Sequence, residues 1–183
     1  MKPENKTASN RQASALFDWA DALVSALIFI VLLFSLVFRM TGVIGTSMVP
    51  TLNEGDRLII SKLFYTPKPG DIVVISKESF QKEPIVKRVI AVGGQTVDID
   101  FNTGSVYVDG VLKVEPYINE KTSRSADVVF PLDVPPGKIF VMGDNRNYST
   151  DSRASEVGLI DTRQVLGQVL FRIYPFNQMG TVQ

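Results

Sequence analysis

The chain has no cysteine and no histidine. The first absence excludes disulfides, thiolate metal sites and cysteine nucleophiles. The second excludes the Ser-His-Asp triad, the Cys-His pair and His-ligated zinc. An excess of charge of either sign is also missing, because 19 Lys and Arg balance 19 Asp and Glu. No nucleic-acid partner held by a strongly basic face is therefore expected. Proton transfer must rest on Lys, Asp, Glu or Tyr, and only a carboxylate cluster around a hard cation remains as a metal site. With 45% hydrophobic and 21% charged residues over 183 positions, the chain can bury the core of one domain.

Long uncharged runs are scarce, and there is one. Ala22 to Phe38 reads ALVSALIFIVLLFSLVF, 17 residues between Asp21 and Arg39. As a helix it spans about 25 Å, slightly short of a hydrocarbon core of about 30 Å. Trp19 as an interface anchor and Arg39 by snorkelling extend it. A buried soluble helix is the bland alternative. A cleavable leader fits less well, because the run exceeds the usual length and no small-x-small site follows directly. The expected organisation is an N-terminal tail over 1–20, its first 15 or so residues polar and floppy, a transmembrane anchor over 21–39 and one domain over 40–183. Lys2, Lys6 and Arg11 precede the anchor and only Arg39 directly follows it. That bias orients the N-terminus to the cytoplasm and the domain to the outside.

Beyond the anchor the chain reads as β. Arg57–Tyr65, Asp71–Ser76, Pro84–Val92, Thr96–Asp100, Ser105–Val108, Lys138–Met142 and Val165–Tyr174 are rich in β-branched and aromatic residues. Asp109-Gly110 between VYV and VLKV is a two-residue hairpin signal. No helix-period segment longer than about ten residues follows the anchor. The expected fold is mainly β, with antiparallel sheets forming a partly closed, barrel-like domain. Lys113–Pro131 is expected to be a mobile loop.

Without His or Cys, a nucleophilic enzyme needs a Ser or Thr activated by a neutral Lys. Burial among apolar groups lowers a Lys pKa from its ordinary value of about 10.4. Most lysines here lie beside turns or in polar stretches, but Lys87 lies in IVKRVIAV. On a strand, Ile85, Lys87, Val89 and Ala91 share one face; Val86, Arg88, Ile90 and Val92 share the other. Each face is apolar with one cation, so alternation does not say which cation is inside. Snorkelling of Lys87 at a sheet edge is the alternative. The candidate nucleophile is Ser47, in VIGTSMVPTL. Gly45 allows close backbone approach there, and Pro50 limits ladder pairing; an ordinary linker is the alternative. The third feature is GDNRNYSTDSR, Gly143 to Arg153. Its closely spaced Asp and Arg residues fit an ordered ion-pair network better than a plain polar loop.

Four ordered boxes carry a resemblance. They are Ser47–Leu52 (SMVPTL), Gly55–Lys62 (GDRLIISK), Lys87–Gly94 (KRVIAVGG) and Gly143–Arg153. Behind one N-terminal anchor, they resemble bacterial type I signal peptidases over residues 17–176. These are Ser/Lys serine endopeptidases of the cytoplasmic membrane that remove signal peptides from exported preproteins. The resemblance implies Ser47 as nucleophile and Lys87 as general base. It implies that the Ser149 hydroxyl holds Lys87, and that Asp144 with Arg88 and Asp151 with Arg153 form supporting ion pairs. Val43, Met48, Leu52 and Val86 fall where the family builds shallow substrate pockets, which implies cleavage after small-x-small (Ala-x-Ala) sites. The Ser47 N–H is implied as an oxyanion donor. Gly45 stands where some members supply a second donor from a serine side chain. The implied partners are preproteins and the lipid bilayer, with no cofactor, no metal and no nucleic acid. A self-cleaving Ser/Lys repressor-type protease shares the dyad but carries no anchor. A catalytically dead assembly partner is expected to have lost Ser47 or Lys87.

Overall fold

The computed structural model describes residues 4–182; the side chains of residues 4–16, of Leu33 and of Leu36 lie outside the described set. The chain forms two compact units that divide after Phe38.

The first unit is one helix, α1 (Glu4–Val37). No Gly or Pro interrupts the sequence from residue 4 to residue 41, and Ala, Leu, Glu, Gln and Arg favour helical backbone. Of the first 15 or so residues, expected to be floppy, residues 4–15 are therefore helical backbone, as is the rest of the expected tail to residue 20, and residues 1–3 lie outside the described residues. The apolar run loses its last residue to strand, because Phe38 opens β1 (Phe38–Gly42). Among the described residues no helix is long and apolar enough to cross a membrane. The expected span is thus not found among them, and Leu33 and Leu36 of that run have no described side chains.

The second unit is β. In chain order it continues with β2 (Arg57–Ser61), β3 (Ile72–Ile75), β4 (Ile85–Val92), β5 (Thr96–Asp100), β6 (Ser105–Val108), β7 (Val111–Leu112), β8 (Leu132–Asp133), β9 (Lys138–Met142), β10 (Ile160–Asp161), β11 (Val165–Tyr174) and β12 (Gly180–Thr181). Among the described residues, β1-β2-β11-β3-β4-β9-β10 form the larger sheet in that order, with β12 added to β11. A second sheet has the order β7-β6-β5-β8. The ladders of β2, β3, β4, β9, β10 and β12 with their neighbours are antiparallel. β11 shifts register at Val165/Gly167, Val169/Phe171 and Arg172/Tyr174, and such bulges increase twist and curl a sheet. The hairpin joining β6 to β7 turns on Asp109 and Gly110, with φ of 52° and 75°, as a type I′ turn requires.

The middle of the larger sheet is buried on both faces. Ile72 and Val74 pack with Val86, Met48 and Leu52, while Val73 and Ile75 pack with Ile85, Val89 and Val141. Two-sided burial explains why β3 reads as a continuous apolar run and why β4 is apolar on both faces apart from one cation on each. A third cluster, including Ile90, Val97, Val106 and Phe140, joins the smaller sheet to β4 and β9.

The segment Lys113–Pro131 is tethered rather than free. Asn147 Oδ1 accepts from the Ser123 N–H, the Arg124 N–H and the Ser123 hydroxyl. The Val128 N–H donates to the Arg153 carbonyl, and Arg146 forms a bidentate pair with Glu115. The expected mobile loop is thus pinned, because its scattered polar residues find partners in the 143–153 segment.

Candidate active site

β4 sets the geometry, because consecutive residues on a strand face opposite ways. Lys87 shares its face with Ile85 and Val89, and Arg88 shares its face with Val86. Both cations are buried, at 4% and 2% exposure.

Arg88 is fully partnered. Its Nε and Nη2 donate to the two Asp144 carboxylate oxygens at 2.8 and 2.7 Å, and Nη1 donates to the Gly70 carbonyl at 2.8 Å. Its guanidinium lies over the Tyr117 ring, 3.9 Å from the centroid. Thr51 Oγ1 adds a further hydrogen bond to Asp144 Oδ2. The pair thereby ties β4, the 143–153 segment and the turn carrying Ser47 into one unit.

Lys87 has no carboxylate partner among the described residues. Its Nζ lies 2.6 Å from Ser47 Oγ. Burial pushes the amine down to about 8, with Arg153 lowering it further and Asp151 and Asp144 acting in the opposite sense. A neutral amine at hydrogen-bond distance from a serine hydroxyl can take its proton.

Ser47 sits in a turn closed by the Val49 N–H to the Thr46 carbonyl and the Leu52 N–H to the Met48 carbonyl. Met48 and Leu52 plug this turn into the core at 1% and 0% exposure. The 143–153 segment presses on it from the other side. The Asn145 N–H donates to the Ser47 carbonyl at 3.0 Å. Only Gly fits at 143, because an added Cβ would lie 2.4 Å from the Ser47 carbonyl oxygen and 2.3 Å from Ser149 Oγ. Asp151 and Arg153 form their own bidentate pair, with 2.8 and 2.9 Å bonds. Asp151 accepts from the Gly143 N–H, and Arg153 donates to the Arg146 carbonyl.

Two expectations meet a different arrangement. Ser149 is buried beside the site, but its Oγ has no hydrogen-bond partner among the described residues, so the bond to Lys87 implied by the resemblance is not formed here. Val43, Met48 and Leu52 are core residues at 5%, 1% and 0% exposure. Of the four expected pocket residues, only Val86 lines the cleft at Ser47 and Lys87. That cleft, of about 400 Å³, is otherwise walled by Ile44, Ile85, Phe80 and Tyr148. The difference has a physical source: Met48 and Leu52 point from the Ser47 turn into the core cluster that also holds Val43, whereas Val86, buried in the same cluster, lies on β4 beside Lys87 and so also borders the cleft.

Sequence reading missed Thr51, Tyr117 and Glu115 as parts of this network, and with Glu115 the partner of Arg146. The Arg146 guanidinium is held by Glu115, by Thr122 Oγ1 and by the Gly143 carbonyl. Tyr117 lies in a stretch without periodicity, and nothing local marks it as the lid over Arg88.

Residues 16–174 match the family described as signal peptidase, peptidase S26. The chain is 38% identical to signal peptidase I of Bacillus licheniformis over 93% of its own length and 95% of that protein's. It is 38% identical to signal peptidase I T of Bacillus subtilis, covering 95% and 93%. It is 35% identical to a signal peptidase I of Bacillus amyloliquefaciens, covering 98% and 96%. The chain belongs to the signal peptidase S26 family and is a serine endopeptidase of signal-peptide processing.

Proposed function

We propose that Ser47 is the nucleophile and Lys87 the general base of this peptidase. The observation that carries the reading is the 2.6 Å approach of the Lys87 amine to Ser47 Oγ, with the amine buried and depressed to about 8. Neutral Lys87 takes the Ser47 proton as Oγ attacks the scissile carbonyl. The oxyanion that forms is stabilised by the Ser47 N–H. The Lys87 ammonium then gives its proton to the leaving amine of the mature protein, leaving an acyl-enzyme. Water, deprotonated by Lys87, releases the signal peptide and restores both residues.

Asp144 with Arg88 and Asp151 with Arg153 are positioning pairs, because each is bidentate and buried, and their other hydrogen bonds go to backbone and to Thr51 rather than to Ser47 or Lys87. Ser149 is a positioning residue for Lys87 once substrate closes the cleft. Its unsatisfied hydroxyl supports that role, since a buried polar group without a partner is costly and gains from acquiring one.

The substrate adds as an extended strand along Ile85–Lys87. These residues pair with Ile75–Val73 of β3 on one side. On the other side, the pairing of β4 with β9 begins at Arg88, opposite Met142. An open backbone edge beside a nucleophile suits strand addition. Ile44, Ile85 and Val86 crowd large side chains, which favours Ala at the residue before the scissile bond and at the third residue before it.

α1 anchors the enzyme in the bacterial cytoplasmic membrane, with the N-terminus in the cytoplasm and residues 40–183 outside. In its apolar run Leu23, Leu27, Ile28, Phe29, Val31, Leu32 and Phe34 are each more than half exposed, a cost in water that lipid removes. Purified protein incubated with an exported preprotein in detergent is the test. Native protein is expected to cleave after Ala-x-Ala and Ser47→Ala is not. Equal cleavage with a bulky aromatic before the scissile bond would contradict the pocket assignment. Labelling of a cysteine engineered near Ser47 only from the cytoplasmic side would contradict the orientation.

A further inference from the structure

We propose that the carboxamide of Asn145 is a positioning residue for the oxyanion hole, acting through the Thr46–Ser47 peptide plane. The proposal rests on Ser47 being the nucleophile. Asn145 Nδ2 donates to the Thr46 carbonyl at 3.0 Å. That carbonyl and the Ser47 N–H belong to one planar peptide unit, so holding the oxygen fixes where the N–H points. The next plane is held by the same residue, because the Asn145 N–H donates to the Ser47 carbonyl at 3.0 Å. One asparagine therefore orients both peptide planes that flank the Ser47 Cα.

Three further observations give the bond consequence. The Ser47 N–H donates to no acceptor among the described residues, so it is free for substrate. Gly45 carries no side chain to supply a second donor and has a φ of 79°, so the chain entering this plane is not stiffened from its own side. The Thr46 carbonyl has one other partner, the Val49 N–H at 3.2 Å. That partner belongs to the same turn and moves with it, so Asn145 is what ties this carbonyl to a segment outside the turn. Hydrogen bonding at the amide oxygen also polarises the N–H of the same unit and strengthens it as a donor. The acceptor settles the orientation of the carboxamide, because only its NH₂ can donate to a carbonyl.

The test compares Asn145→Ala and Asn145→Asp with native enzyme on a preprotein carrying Ala-x-Ala. Asn145→Asp keeps the volume but replaces the donor by an oxygen facing the Thr46 carbonyl. The expected result is a fall in kcat of about 10-fold for Asn145→Ala and more for Asn145→Asp, since the lost bond acts indirectly on an oxyanion donor. KM and the melting temperature stay unchanged, and in Asn145→Ala so does the pH at which the rate inflects through Lys87; the new carboxylate of Asn145→Asp moves that inflection upward. A peptide aldehyde ending in Ala, whose adduct with Ser47 places an oxygen in the hole, should weaken by the same factor as kcat. The corresponding peptide acid, which forms no such adduct, should bind as before. Native-like kcat in both variants overturns the proposal. So does a loss explained in both variants by a lowered melting temperature, or one accompanied in Asn145→Ala by a shifted pH inflection. Should Ser47→Ala cleave as fast as native enzyme, the nucleophile assignment fails and this proposal with it. An active native enzyme with a dead Ser47→Ala and unaffected Asn145 variants overturns the Asn145 role alone.

Discussion

The two faces of β4 carry one cation each, and the protein treats them oppositely. Arg88 is buried against a carboxylate that matches its planar fork, with a carbonyl for Nη1 and an aromatic ring on its face. Lys87, one residue away, is buried to a similar degree with a serine hydroxyl as its hydrogen-bond partner. A guanidinium stays charged at any ordinary pH, so its burial demands an anion. An ammonium can shed its proton, so burial without an anion makes it a base. The same desolvation thus produces a structural ion pair on one face and a proton acceptor on the other. The choice of partner, and not burial itself, decides which.

The largest expected effect is on the base side. Ser47→Ala or Lys87→Met should lower kcat/KM for preprotein by on the order of 10⁴-fold or more, with the domain still folded. Processing by Lys87→Met within tenfold of native enzyme would break the comparison at its centre.

Next comes stability. Arg88→Met leaves the Asp144 carboxylate buried and unpaired, so denaturant unfolding should report a loss of about 3–5 kcal/mol. The double variant Arg88→Met/Asp144→Leu should recover much of it. Lys87→Met strands no anion and should raise stability at neutral pH, the opposite sign from its neighbour.

The pH dependence sharpens the contrast. Lys87 titrates near 8 in the folded protein and at 10.5 when unfolded. Between those values the folded state binds fewer protons, so native stability should rise with pH across the window, by on the order of 3 kcal/mol relative to Lys87→Met. Activity should climb about tenfold per pH unit below 8 and level off above it. An activity that falls from mild acid to mild alkali without unfolding would contradict a lysine base.

The smallest effect concerns Ser149. Its hydroxyl is buried without a partner, so Ser149→Ala should leave the melting temperature unchanged or slightly higher. Turnover should nonetheless fall by about 100-fold if the hydroxyl captures the Lys87 amine during reaction. Native turnover in this variant would reduce Ser149 to a packing residue.

Much of this was legible in the chain. Strands β5, β6 and β9 match their sequence-read bounds, because each is a short β-branched run between strong turn signals. β2 stops at Ser61, short of the expected Tyr65, because Lys62 and Leu63 leave the ladder and Tyr65 turns inward to Asp71. The short strands β8, β10 and β12 carry two residues each, too few to show a period. They exist because a neighbouring strand offers free backbone groups. At the site, the absence of His and Cys directed attention to a lysine in an apolar run, and Ser47 and Lys87 do lie side by side. The cleft walls were not legible, since Phe80 precedes β4 in a turn without period and Tyr148 comes from the 143–153 segment, 61 residues beyond Lys87, and no local pattern says that either side chain faces the cleft.

The sequence by itself determined the chemical alphabet. Without His, Cys or net charge, a serine peptidase here has only a lysine as base, and an apolar strand is where a lysine is neutralised. Composition and local pattern settle such matters because they concern which groups exist and how strongly their neighbours desolvate them. The tertiary structure decided which of two adjacent cations received an anion, which apolar residues went to the core and which to the cleft, and how an asparagine far along the chain came to hold the peptide before Ser47. Those outcomes depend on distances between segments separated by 40 to 99 residues, and no local pattern encodes a distance across the fold.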